Sequence, residues 1–259
     1  MSKIIQFMHP GRYNCQEDCI KWNCGRHKRK LIKNEIRYIE NGSLKNSIGY
    51  LWGEWEPESY CKKENGFFVH TIKYPSDVIF NTANSCIDCC SKKTDYLNTD
   101  PYVFGDHFIY SNCMQRKYKE LQNLVENDII LFGSKSKGGF ILDTLFVVDR
   151  EIKPDEIYSA CFKKATYQFI KNDNFKIYKA KMYDPQKAKE IYSFFPCSNY
   201  PFKRPVIDLE YIHSIKQGVC YLHKKYPYTK SEDVWNEILN IIKDNGLYIG
   251  ISTIEPKEL

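Results

Sequence analysis

Ile129-Ile130-Leu131-Phe132-Gly133 and Phe140-Ile141-Leu142-Asp143-Thr144-Leu145-Phe146-Val147-Val148 decide the fold class. Both are runs of aliphatic, β-branched and aromatic residues, the side chains that suit a pleated, half-buried surface. Between them stands Ser134-Lys135-Ser136-Lys137-Gly138-Gly139, whose glycines accept the positive φ of a tight reversal. Two apolar runs joined in this way predict a β-hairpin. The stretch feeding the hairpin is Asn98-Thr99-Asp100-Pro101-Tyr102-Val103-Phe104-Gly105, followed by Asp106-His107-Phe108-Ile109-Tyr110-Ser111-Asn112-Cys113. Polar groups able to do chemistry (Asn98, Asp100, Asp106, His107, Asn112, Gln115) alternate there with large rings. A solvated loop rarely carries Tyr102, Phe104, Phe108 and Tyr110 together; the wall of a site does.

The rest of the chain is read around that hairpin. With 259 residues, 42% hydrophobic and 15% aromatic, it buries a sizeable core. Twenty Tyr and fifteen Phe against four Met favour sheet over helix. Residues 4–8 read as an opening strand, 28–38 as either a short helix or an extended segment, and 62–97 as a long loop or insertion. A short helix is expected over 116–125, a helix or turn at 154–156, and strand-like pieces near 175–182 and 191–195. Thr229-Lys230-Ser231-Glu232 fits a capping box, and Val234, Trp235, Ile238, Leu239 and Ile242 share one helical face that Gly246 ends. Residues 247–251 then return as a strand. No repeat or low-complexity linker divides the chain. The expectation is one compact α+β domain over 1–259, a central mixed or antiparallel sheet with flanking helices.

Lys and Arg exceed Asp and Glu by 38 − 32 = +6, which permits an anionic partner. The cations cluster at Arg26-His27-Lys28-Arg29-Lys30, and Lys135 and Lys137 sit at the hairpin tip; both groups are candidates for gripping phosphates. No apolar run approaches the ~20 residues that span a bilayer, and the first residues lack the long apolar core of an export signal. Eleven cysteines, an odd number, fit reduced thiols in a cytoplasm. Cys15-x3-Cys19-x4-Cys24-x2-His27 offers four soft ligands, but its spacing matches no compact zinc knuckle, so no metal or cofactor is expected. Phosphate-loop, dinucleotide, nucleophile-elbow and zinc-deaminase signatures are all missing from the sequence.

A second cluster is Trp52-Gly53-Glu54-Trp55-Glu56, two indoles and two carboxylates in five residues. Strand alternation puts Trp52, Glu54 and Glu56 on one side and Trp55 on the other. Read as structure, the tryptophans are core and the glutamates are solvated or paired with the basic cluster. Read as function, they make an aromatic slot holding a carboxylate.

Together the Trp-Gly-Glu-Trp-Glu segment (52–56), the Asn-Thr-Asp-Pro-x-Val-Phe-Gly segment (98–105), Leu-Phe-Gly-Ser (131–134) and His-x-Arg-Lys (27–30) resemble, in order, a family of uncharacterised bacterial proteins. That family is similar in turn to the antiviral DNA glycosylases of bacteria that act on modified bases. Locally, Thr99-Asp100-Pro101-Tyr102 resembles the Gln-Asp-Pro-Tyr core of uracil-DNA glycosylases, where the Asp orients water and the Tyr walls the pocket. Thr stands for Gln, and no His-Pro-Ser follows, so that resemblance is confined to four residues. The hairpin resembles the central strands of PUA-like barrels, some of which hold a flipped base without chemistry.

These resemblances imply a DNA glycosylase that flips a modified base and hydrolyses its N-glycosidic bond, in antiphage defence. Such chemistry needs a ring-walled pocket and a carboxylate to stabilise an oxocarbenium-like sugar and orient water. Asp100 is the first candidate carboxylate, with Asn98 beside it to hold water or a base edge, and Glu54 or Glu56 the alternative. Trp52, Trp55, Tyr102, Phe104 and Asn112 are candidates to hold the base. The rival is a non-catalytic, PUA-like reader of modified bases, and the third reading is a protein-interaction domain.

Overall fold

The computed structural model describes residues 2–8, 29–75, 97–136, 139–166, 175–187, 189–207, 219–221 and 230–258. Arg26, His27, Lys28, Lys137 and the Cys15/Cys19/Cys24/His27 set lie outside them. Thirteen strands are described. The first five are β1 (Ile4–Met8), β2 (Arg29–Glu40), β3 (Ser43–Glu54), β4 (Ser59–Glu64) and β5 (Phe67–Ile72). A short β6 (Ile109–Tyr110) precedes the hairpin β7 (Ile129–Ser136) and β8 (Gly139–Ile152). Then come β9 (Ile177–Ala180), β10 (Phe195–Ser198), β11 (Val206–Ile207), β12 (Val219–Tyr221) and β13 (Tyr248–Thr253). Two α-helices are described, α1 (Ala160–Ala165) and α2 (Ser231–Asp244).

The strands form two mixed sheets. One runs β12-β1-β7-β8-β9-β6, with β11 also on β8; its β1–β7 pair is parallel and aligns Ile5 with Ile130. The other runs β13-β10-β3-β2-β5-β4, and β13 pairs back onto β2, so β2, β3, β10 and β13 close into a ring. Strand β2 manages this because its edge is divided: Leu31 and Ile32 pair with β5, whereas Ile36 to Ile39 pair with β13. The sheet-led α+β class expected from the sequence is found, with two sheets in place of one central sheet.

The hairpin stands where the sequence placed it, with a bulge between Phe132 and Gly133. A side chain at Gly133 would lie 2.0 Å from the Ile141 carbonyl oxygen, so the bulge needs glycine. Residues 62–97 are not all loop. Strands β4 and β5 are joined at Asn65-Gly66, both at positive φ (48° and 81°), with Glu64 opposite Phe67. Asn41-Gly42 (48° and 75°) turns β2 into β3 in the same way. Both are two-residue turns of the kind that Asn-Gly favours, whose twist matches that of the flanking strands. Of residues 28–38, expected as either a short helix or an extended segment, 29–38 are extended in β2, and Lys28 lies outside the described residues.

Alternation along β1 and β7 divides the interior. Ile5, Phe7, Ile130 and Phe132 face a core shared with the second sheet through Ile32, Ile36 and Leu51, and residues 102–104 and 108–110 pack into the same core. Ile4, Ile129 and Leu131 face the other way, onto Val234, Trp235, Ile238, Leu239 and Ile242 of α2. Fully burying such a side chain is worth about 1.5–3 kcal/mol, so this face holds the helix more firmly than its start does. Thr229 of the expected capping box lies outside the described residues; Lys230 is the N-cap, without a side-chain bond, and Glu232 and Asp233 complement the first-turn dipole. Gly246 (φ +69°) ends the helix as expected. The helix expected over 116–125 is a single 3-10 turn, Lys119–Gln122, which buries only Leu121 and so lacks an apolar face to extend it.

Candidate functional site: a buried polar centre

The ends of β2 and β3 bring the first charges together. Their register sets Arg29 opposite Glu54, and Arg29 Nη1 donates to Glu54 Oε2 at 2.6 Å. Its Nε lies 2.8 Å from Asp143 Oδ2 on β8, an ion pair off the N–H direction, and its Nη2 has no hydrogen-bond partner among the described residues. Arg204 clamps the same Asp143 with two bonds, Nε to Oδ1 at 2.5 Å and Nη2 to Oδ2 at 2.6 Å, and also donates to Ser134 Oγ. All four charged side chains are at most 2% exposed. Burial alone would lower the Arg29 pKa, but Glu54 and Asp143 overcome it and raise it, so the guanidinium stays charged.

The 98–113 segment supplies the second half. The Asp100 carboxylate, fully buried, accepts three backbone N–H groups: Ser111 on Oδ1 at 3.0 Å, Asn112 on Oδ2 at 3.1 Å and Cys113 on Oδ2 at 2.7 Å. Burial pushes its pKa up to about 7 against the pull of those bonds. Glu56 Oε2 accepts the Asn98 N–H at 2.6 Å, and the Glu56 N–H donates to Thr99 Oγ1 at 3.1 Å. Asn112 Nδ2 donates to Asn98 Oδ1 at 2.8 Å. The halves meet at Cys113, a partly buried residue. Burial and the negative charges of Asp100, Glu54 and Glu56 push its thiol well up, and Arg29 opposes them. Nearby His70 bonds Ser59 through Nδ1 at 3.0 Å. Burial and the charge of Lys30 hold it down to about 3, so it is neutral.

The candidate carboxylates Asp100, Glu54 and Glu56 are thus brought together with Asn98 and Asn112. The rings are not gathered into one slot. Trp55, Tyr102 and Phe104 are fully buried and meet edge to face, at centroid separations of 4.9 Å and 5.3 Å. Trp52 points into a separate cluster with Leu31, Tyr50 and Val69, and its Nε1 donates to the Phe202 carbonyl. Arg29 and Lys30, expected to meet phosphate at the surface, are buried instead. Lys30 Nζ donates to the Trp55 carbonyl, because their strand ends between the sheets. Lys135 sits on β7 opposite Phe140.

Sequence reasoning missed Asp143, Arg204, Ser134 and Cys113. Asp143 left a trace, a lone charge inside the apolar run 140–148; Arg204 left none. Among the described residues, no group of three His, Cys, Asp or Glu side chains is placed to hold a metal ion. Likewise no described helix is long and apolar enough to cross a membrane. Compared with known proteins, the chain matches no family model, no curated protein and no solved structure.

Proposed function

We propose that the chain is an N-glycosylase that removes a modified base from nucleic acid, with its chemistry at the Glu54–Glu56–Arg29 centre. One observation carries the reading: carboxylates and arginines converge in a buried place where one arginine nitrogen, Arg29 Nη2, has no acceptor among the described residues. A buried donor without a partner costs about 1–3 kcal/mol, a penalty that a bound acceptor would relieve. In this reading the C1′–N bond breaks with its electron pair going to the base, and Arg29 Nη2 donates to the departing base. A carboxylate faces the cationic sugar, water forms the new C1′–O bond, and its proton passes to Glu56. Asp100, whose oxygens hold three backbone N–H groups, is a positioning residue for 111–113, and the carboxylate role moves to Glu56. The reading requires substrate to open the centre, which is closed among the described residues.

The test uses oligonucleotides carrying modified or ordinary bases, treated with alkali after incubation. Strand breaks on modified DNA, reduced on the order of 10²-fold in rate by Glu56→Gln with binding unchanged, support the reading. A gel shift without breaks supports the base reader instead, which is favoured by one observation: the Asn98–Asn112 amide pair is suited to a base edge. Neither breaks nor a shift removes both.

A further inference from the structure

A large cavity lined by described residues is not part of this centre. It is a cleft of about 1070 Å³ between the two sheets, and Asp100, Glu54, Glu56 and Arg29 do not line it. Its wall includes Tyr102, whose hydroxyl donates to Glu255 Oε1 at 2.9 Å; Ser159 Oγ donates to the same oxygen at 2.6 Å. Both lone pairs of Oε1 are therefore occupied. Burial, with Cys161 and Glu255 beside it, raises the Tyr102 pKa so far that its proton stays in place. Glu255 Oε2 makes no hydrogen bond to a described residue and is left for the cleft. The carboxylate is seated over Gly105, where an added Cβ would lie 2.8 Å from Oε1 and where φ is +81°. The positive φ favours glycine there, and its bare backbone lets the carboxylate pack close.

Two more wall residues, Arg37 and Lys179, carry positive charges that form no ion pair with a described residue, in contrast to Arg150, bound to Glu156 at 2.9 Å. Among the described residues the cleft thus offers a carboxylate oxygen with two open lone pairs, two cations without an ion pair, and apolar wall from Ile109, Ile152 and Ile157. Its size exceeds the few hundred Å³ that a small ligand fills.

We infer that this cleft binds a mononucleotide with an amino-bearing base, the base amino group on Glu255 Oε2 and the phosphate on Arg37 and Lys179. Adenine, guanine and cytosine present an exocyclic amino donor. Uracil and thymine flank their single N–H with carbonyl acceptors, which a carboxylate repels. The inference does not rest on the glycosylase reading.

Calorimetric titration of the full chain with AMP, GMP, CMP and UMP, and with the matching nucleosides, tests it. We expect at least one amino-bearing nucleotide to bind about tenfold tighter than UMP, the discrimination of one good base contact. Glu255→Gln, which keeps an acceptor for Tyr102 and Ser159, should bring that ratio within about twofold. Arg37→Ala should weaken nucleotide but not nucleoside. Should Glu255→Gln not fold, the wild-type preference and Arg37→Ala decide. Binding of none of the four, no preference against UMP, or a preference kept in Glu255→Gln overturns the inference. Base release from oligonucleotides is read separately, so each idea fails on its own.

Discussion

Replacing Asp100 by Asn tests the account of the 98–113 segment at its most exposed point. The wild-type carboxylate receives one N–H on Oδ1 and two on Oδ2. An amide offers one oxygen, so in either flip its NH2 meets at least one backbone N–H head-on. Leaving that donor unmatched costs about 1–3 kcal/mol. Charge works the other way. The Asp100 pKa is raised to about 7 from 3.8, so between those values the folded state holds a proton that the unfolded state has lost. Its contribution is therefore full below pH 4 and is lost as pH rises through about 7. From pH 5 to the folded pKa is about two units, or about 3 kcal/mol at 1.36 per unit, and Asn lacks this slope. Urea denaturation of both proteins at pH 5, 6, 7 and 8 should show Asp100→Asn about 1–3 kcal/mol less stable at pH 5. By pH 8 the gap should close or reverse. A gap that stays constant, or that widens as pH rises, refutes the reasoning.

Asp143→Ala leaves Arg29 and Arg204 buried without their shared carboxylate, so a loss of about 3–5 kcal/mol is expected in chemical denaturation. Asp143→Leu with Arg204→Met should recover part of it. Gly133→Ala drives a methyl against the Ile141 carbonyl and should lower the melting temperature by more than the ~4 °C of a typical 1 kcal/mol change, with urea slope unchanged.

What the sequence makes legible is whatever depends on neighbours in the chain. The hairpin 129–148, the opening strand and the apolar face of α2 are period and propensity, and each is found. The β4–β5 hairpin was equally legible: Asn65-Gly66 marks it, but the lysines and glutamate around it hid two strands whose outward face is polar. The polar centre was half legible. The clustering of Glu54, Glu56, Asn98, Asp100 and Asn112 shows in two short segments, and the fold does unite them. Its other half depends on register between distant strands. Arg29 looked like one cation in a basic run until pairing set it against Glu54, and Arg204 reaches Asp143 across 61 positions. Burial reversed the meaning of the charges there, turning expected phosphate contacts into internal ion pairs.

The ring of β2, β3, β10 and β13 sets an order on how the molecule can be assembled. Residues 36–39 are made early, but their partners on one side are residues 249–253, more than two hundred positions later. During synthesis β2 and β3 can pair at once through their Asn-Gly turn, whereas β2 keeps half an edge of open N–H and C=O groups until the last strand arrives. β10 waits for the same strand. Long-range pairing of this kind is slow to form, and an unpaired edge is a template for other chains. A nascent chain halted before residue 248 therefore carries one unfilled edge at Ile36–Ile39 of β2 and another on β10, each a template for pairing with other chains.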